Sequence, residues 1–312
     1  LLSLEIGSGD EVIVPDFTFP ATANAVELCG ASAILADIEL ANFNIDPLEI
    51  KKKITSRTRA IIPVHQFGTP AKMDEILKIA RKRNIYVVED AACALGARYK
   101  TTMCGAIGDL GCFSFHPRKI ITTGEGGAIV TNSLRLAKRL RQLREHGMKQ
   151  NGAKRNFITL GLNYRISEIA SVLGLAQLEK IEALIRKRIH LNKMFRQIIS
   201  RINVVSMVPA YIDKSSRSSY QDFIIKINKG INIFKLISFL KGKGIESAIS
   251  NTSVHTQPYY QKKYGFKKGK LKNSLFAFRR SITLPFHCRM TEKDFTKVVS
   301  ALGEYFDERK GL

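Results

Sequence analysis

No run of apolar residues in this 312-residue chain approaches the roughly 18 that a membrane-crossing helix needs. A helical bilayer span is therefore excluded. The five cysteines (Cys29, Cys93, Cys104, Cys112 and Cys288) include no Cys-x-x-Cys pair, and an odd count in a chain too large to need covalent staples argues against a disulfide framework. That usage reads as a reducing, cytoplasmic compartment. The six histidines form no His-x-x-x-His or Cys-plus-His cluster, so no zinc motif is present. The opening Leu1–Asp10 lacks a basic region and a small-residue cleavage site, so it does not read as a secretory signal, and it lacks an initiator methionine. Reaching the strand-like Glu11–Val14 so soon, the chain reads as starting in mid-domain.

Acidic residues are also scarce. Fifty Lys and Arg against 27 Asp and Glu leave +23. Such a charge raises the possibility of nucleic-acid binding, but the cations are dispersed over Lys51-Lys52-Lys53, Arg135–Arg155, Arg186-Lys187-Arg188 and Lys262–Lys272, with no reader motif or interleaved aromatics. They read as solvated helix faces, or as a general positive field that draws in anionic ligands and weakens with salt.

An apolar fraction of 45% and a mean hydropathy of -0.07 suit a globular protein. The length allows a large domain, expected over 1–200, and a smaller C-terminal α+β domain over 201–312. There is no internal repeat or low-complexity linker. Short β-branched runs at Glu11–Val14, Ala33–Ala36, Ala60–His65, Ile85–Asp90, Cys112–His116 and Ala128–Thr131 alternate with helical stretches at Ala21–Leu28, Pro47–Ile54 and Met73–Arg83. This is the βαβ alternation of a mostly parallel sheet flanked by helices, an α/β fold. Ser167-Glu168 starts a helix predicted to run to about Ser200, with Ile169, Val172, Leu173, Leu175 and Leu178 on its apolar side. Beyond it, the pattern predicts strands at Gln221–Ile227 and Ser281–Leu284 and helices at Phe234–Lys241 and Thr291–Tyr305.

Two places carry chemistry. The strand Ile85–Asp90 ends in Glu89-Asp90 followed by two alanines, and ligands of open α/β sheets bind beyond the carboxyl ends of strands. Alone, the pair fits a helix cap as well. The run Phe113–Gly127 takes a strand into Lys119 and then into Gly124-Glu125-Gly126-Gly127. A buried lysine of lowered pKa can condense with an aldehyde, Ser114 offers a hydroxyl to a phosphate, and the glycines permit a tight turn. A surface lysine and a plain turn are the alternatives for each taken singly. With Asp90 they form a set suited to pyridoxal 5'-phosphate: an acid for a pyridine nitrogen, a hydroxyl for the phosphate and an amine for the aldehyde.

The chain resembles the DegT/DnrJ/EryC1/StrS group of fold type I pyridoxal-phosphate enzymes. The matching segments lie in order along nearly its whole length: Gly9–Pro15, Phe17–Ala25, Asn44–Pro47, Ile61–Gly68, Val88–Ala92, Gly108-Asp109, the Lys119 run, His146-Gly147, Gly161–Arg165 and Leu284-Pro285. The resemblance implies an aminotransferase that moves an amino group from an amino acid such as glutamate to a keto group of a nucleotide-linked sugar, for polysaccharide synthesis. It implies Lys119 as the Schiff-base lysine and proton carrier, Asp90 on the pyridinium nitrogen and Ser114 on the phosphate. Phe19 would stack on the ring, Asn163 would reach the phosphate from the second subunit of a homodimer, and His255 would lie near the sugar nucleotide. A surface histidine is the alternative for His255.

Two positions depart from the family. Cys93 stands where glutamine or histidine is usual, and a thiol donates weakly. It is still expected beside the ring. The family's Ser-Gly-Thr-type segment, whose amides cradle the phosphate, would precede Leu1 and is missing here. A sugar dehydratase or eliminase of the same family, which typically has histidine in place of the lysine, is the runner-up. A truncated non-catalytic or regulatory relative is the third reading.

Overall fold

A computed structural model describes the chain apart from residues 204, 210–212, 229, 267–268 and 308–312. Lys267 and Lys268, part of the basic stretch Lys262–Lys272, thus lie outside the described residues. The main sheet has six strands: β1 (Glu11–Pro15), β2 (Ser32–Ala36), β3 (Thr58–Ile61), β4 (Tyr86–Asp90), β5 (Leu110–Ser114) and β6 (Gly127–Val130). They lie in the order β2-β1-β3-β4-β5-β6, parallel throughout except where β6 returns antiparallel to β5. Every residue of β1 is buried, as expected of a central parallel strand covered on both faces. The mostly parallel sheet flanked by helices is the fold class read from the alternation of runs.

The covering helices form where their ends are signalled. Helix α1 occupies Ala21–Leu28. Helix α2 (Pro47–Lys53) begins with Asp46 accepting from the Leu48 N–H and with Pro47 in its first turn. Helix α3 (Met73–Arg81) buries Met73, Ile76, Ile79 and Ala80 at helical spacing and exposes Asp74 and Glu75. Helix α4 (Leu134–Arg144) is capped by Ser133.

Several expected boundaries move for physical reasons. The strand expected over Ala60–His65 ends at Ile61, since Pro63 has no N–H for a ladder. The strand expected over Cys112–His116 runs Leu110–Ser114, because its pairing with β4 starts at Val88 and Leu110. The single long helix expected from Ser167 is two, α5 (Glu168–Leu178) and α6 (Ile181–Ile199), separated where Lys180 bonds back only three residues to Gln177. Ser167 does cap α5.

The two helices then differ in what they cover. Helix α6 contributes Leu191, Phe195 and Ile199 to a second core, whereas α5 buries no residue at all. That second core packs α6, α7 (Ile233–Gly242) and the terminal helix against an antiparallel sheet in the order β7-β8-β10-β9: β7 (Val205–Val208), β8 (Phe223–Ile227), β10 (Ser281–Leu284) and β9 (Ala248–Ile249). Helices α8 (Pro258–Tyr264) and α9 (Lys272–Arg280) return to the first sheet, where Val254, Tyr260 and Leu271 complete the core around Val12 and Val14. The terminal helix, α10, is Glu292–Asp307. Among the described residues no helix is long and apolar enough to cross a membrane.

The carboxyl end of β4 is locked by a buried hub. The Glu89 carboxylate accepts from the amides of Gly105, Ile107 and Gly108 at 2.6–2.7 Å and from His65 Nε2 at 2.8 Å. His65 Nδ1 itself accepts from the Ala71 N–H at 3.0 Å, so its proton sits on Nε2. The loop so held presses on β5: a Cβ on Gly111 would lie 2.0 Å from the Gly105 carbonyl oxygen, which is why β5 carries glycine there.

Burial works against the Glu89 charge, but His65 and the amides of Gly108 and Gly105 outweigh it and hold the carboxyl below its ordinary 4.5. A folded-state value below the unfolded one stabilises above about pH 4.5, and that stabilisation is lost as pH falls through the folded value. Glu89→Gln should therefore lower stability by about 3 kcal/mol at neutral pH. Urea unfolding across pH should show the gap from wild type narrowing in acid.

Candidate active site

Asp90 and Ser114 end the paired strands β4 and β5, Lys119 follows in the loop after β5, and Thr22 reaches Asp90 from the first turn of α1. Alternation along β4 turns Asp90 away from the hub that binds Glu89. Both Asp90 oxygens have a donor: Thr22 Oγ1 reaches Oδ2 at 2.7 Å, and the Ala92 N–H reaches Oδ1 at 3.1 Å. Thr22 in turn shares a 3.1 Å hydrogen bond with Thr18. Both carboxylate oxygens are thereby held in a fixed orientation at the strand end.

The loop after β5 is built to present Lys119. The Lys119 N–H bonds the His116 carbonyl at 2.9 Å, and Thr122 Oγ1 and the Thr123 N–H return to the Phe115 carbonyl. Gly124 takes a φ of 80°, a left-handed turn that suits glycine. Gln177 of α5 pins the loop by bonding both the N–H and the carbonyl of Thr122. The Lys119 amine then lies 3.2 Å from Cys93 Sγ.

The amine's acidity differs from the expectation drawn from burial alone. Burial does pull it down, yet Cys93, Asp222 and Asp90 together raise it above an ordinary lysine. Burial pushes the Cys93 thiol up to about 11, against the pull of Lys119, so Cys93 is a neutral thiol at physiological pH. Desolvation likewise raises Asp222, opposed by Lys119, Arg188 and Arg118. Asp222 was not singled out in the sequence, although an acid ahead of the run Phe223–Ile227, apolar but for Lys226, was a visible signal.

The remaining expected residues are distributed as follows. Ser114 Oγ accepts from the His116 N–H at 3.3 Å. Phe19 is 69% exposed, its ring uncovered by this chain. Asn163 is exposed and bridges in the backbone to Glu145; no hydrogen bond joins its side chain to Lys119, Asp90 or Ser114 among the described residues.

His255 is not a surface histidine. It is 1% exposed, and Asp16 accepts both its N–H and its Nδ1–H at 2.7 Å, with Ser253 Oγ a third donor at 2.7 Å. Its Nε2 is buried without a hydrogen-bond partner among the described residues. The contact joins residues 239 apart, so sequence proximity carried no hint of it.

Residues 1–303 match the DegT/DnrJ/EryC1/StrS aminotransferase family. The chain belongs to this family. Its members are pyridoxal-phosphate-dependent aminotransferases of sugars. It is similar to the GDP-perosamine synthase of Caulobacter vibrioides, with 37% identity over 306 residues covering 97% of this chain and 81% of that one. It is 31% identical to the spore coat polysaccharide biosynthesis protein SpsC of Bacillus subtilis, covering 95% and 79% of the two chains. Among solved structures, an aminotransferase from Psychrobacter cryohalolentis superposes with a TM-score of 0.91 at 28% identity over 99% of this chain and 84% of the other. Helicobacter pylori PseC, an aminotransferase of pseudoaminic acid biosynthesis, gives 0.91 at 27% over 96% and 81%.

The Asp16 hub should be as sensitive as its burial suggests. Asp16→Ala strands the His255 and Ser253 donors and should cost about 3 kcal/mol, read from urea unfolding.

Proposed function

We infer that this aminotransferase takes an amino group from an amino acid, with glutamate as the donor, and delivers it to the keto group of a nucleotide-linked sugar. The observation that carries the reading is that the doubly hydrogen-bonded Asp90 and Ser114 end the paired parallel strands β4 and β5, with the Lys119 amine, which feels the Asp90 charge, in the loop that follows. The likeness to a GDP-perosamine synthase supports a nucleotide-linked sugar as the acceptor. A net charge of +23 favours the approach of such anions.

The residues fit pyridoxal phosphate. Asp90 supplies an anion for the pyridinium nitrogen, Lys119 an amine for the aldehyde, Ser114 a hydroxyl for the phosphate and Phe19 an uncovered ring for stacking. Cys93 lies at the amine and adds bulk beside it, a weak donor where the family has a strong one. When bound, the cofactor supplies a carbonyl that condenses with amines and a ring that takes up an electron pair. Lys119 acts as the base and acid that moves the proton at its Nζ. Asp90 is held in orientation by Thr22 and the Ala92 amide, which donate to its two oxygens. His255, whose Nδ1 is fixed by Asp16 and whose Nε2 is buried, is kept in this reading as a residue near the sugar nucleotide.

The same reading makes the working form a homodimer with Asn163 completing the partner's phosphate site. The support is a broad apolar surface: α5 buries nothing, Ile169 and Leu160 are each 86% exposed, and Phe157, Tyr164 and Val172 are also exposed. Patches of this kind mark interfaces. A cytoplasmic location belongs here too, since none of the five cysteines is in a disulfide.

Two experiments test the proposal. Protein mixed with pyridoxal phosphate should develop a visible absorption band that Lys119→Ala abolishes, and borohydride should fix the cofactor's mass on the peptide carrying Lys119. An adduct elsewhere, or an adduct without amino transfer from glutamate to any nucleotide keto-sugar, would overturn the reading. Val172→Glu should shift the protein from dimer to monomer in light scattering and reduce activity in parallel; a wild-type monomer would remove Asn163 from the site.

A further inference from the structure

Segment Ser218–Asp222 leads into β8 and is tied down on both sides. Ser218 Oγ and the Ser219 N–H bond the Gly68 carbonyl at 2.9 and 3.0 Å, and Ser219 Oγ bonds the Cys93 carbonyl at 3.0 Å. The Gln221 N–H reaches the Phe67 carbonyl at 2.9 Å, and Gln221 Nε2 reaches the carbonyl of Arg118, the residue before Lys119, at 2.6 Å. From the other side Arg188, stacked on Phe286, donates to the carbonyls of Tyr220 and Gln221 at 2.8 and 2.5 Å. Gly68 has no room for a side chain: a Cβ there would lie 2.2 Å from Ser219 Oγ.

The anchored neighbours leave Asp222 little choice of place. Cys93 is fixed to Ser219, and Arg118 to Gln221, so the next residue is delivered to the Lys119–Cys93 pair. Two positions on, Ile224 packs with Phe17 and Phe67, so this side of the strand faces away from the second core that holds Phe223, Ile225 and Ile227. Asp222 is partly buried and its side chain makes no hydrogen bond among the described residues. A carboxylate in that position is costly unless cations face it. Those facing it are Lys119, Arg188 and Arg118, while Lys119 is faced by Cys93, Asp222 and Asp90.

We propose that Asp222 is a positioning residue for Lys119, its carboxylate holding the ammonium form of the amine in place whenever the amine is not covalently engaged. Cys93, a neutral thiol, occupies the other flank of the amine. When Lys119 takes a proton from carbon, the C–H bond breaks, an N–H bond forms at Nζ, and Asp222 stabilises the resulting cation without accepting the proton itself. Asp90 serves the ring nitrogen and Asp222 serves the amine, so two acids divide the site. The proposal rests on Lys119 being the reactive lysine, and its test does not depend on turnover.

The test is competitive acylation of the full chain stripped of cofactor, using labelled acetic anhydride and quantifying each lysine by peptide mass spectrometry across pH. Only the neutral amine reacts, and its fraction changes tenfold for each unit of pKa. Asp222→Asn should raise Lys119 labelling near pH 8 several-fold, leave Lys72 unchanged, and move the pH midpoint of Lys119 down; Asp222→Glu should return it toward wild type. Asp222→Ser carries the same expectation as Asp222→Asn if the latter does not fold. A folded charge-removing variant with unchanged Lys119 labelling overturns the proposal. Failure of the functional reading looks different, because it is the absence of a cofactor adduct at Lys119 in the wild-type chain.

Discussion

Adjacent side chains on a β-strand point to opposite faces, and the site depends on how β4 uses that fact in its last two residues. Glu89 turns into a sealed pocket, where His65 and three backbone amides saturate it and fix the loop Gly105–Gly108 against β5. Asp90 turns the other way, toward Thr22 and Lys119. Two neighbouring carboxylates thereby have separate duties. One makes the strand end rigid, and the other shares that rigidity at the face where Lys119 lies.

A second constraint joins the two cores. Strap Ser218–Gln221 bonds to backbone at Gly68, Cys93 and Arg118, and Arg188 grips it from the other side. Nearby, Arg217 pairs with Glu182 at the start of α6 and donates to the Gly96 carbonyl. The amine loop is held to the rest of the chain by main-chain carbonyls. This leaves its side chains for ligands.

The sequence disclosed the elements better than their company. Period and β-branched runs located the sheet, and Asp46, Pro47 and Ser167 marked helix starts, because those signals are local. Asp90, Ser114 and Lys119 could be named as candidates from the sequence since two of them end strands and the third lies between a strand and a glycine-rich turn. Contacts across long separations were not: the burial of His255 depends on Asp16, and the approach of Asp222 depends on a strap anchored to Phe67 and Arg118. The apolar side of α5 was legible, but its partner was not. Periodicity says that a face is apolar but not whether this chain covers it, and here it does not. The acidity of Lys119 also ran opposite to the burial argument, because its neighbouring groups outweigh desolvation.

The return of α8 and α9 to the first sheet has a consequence for synthesis. Val254, Tyr260 and Leu271 complete the core around β1, and Tyr264 accepts from the Ala33 N–H across 231 residues. The amino-terminal half therefore cannot finish folding as it leaves the ribosome; its core closes only after residue 271 has emerged. Such long-range closure is slow compared with local contacts, and apolar surface on the first sheet is exposed in the interval. The nascent chain thus has a period of aggregation risk set by its topology, during which a chaperone has its natural point of entry.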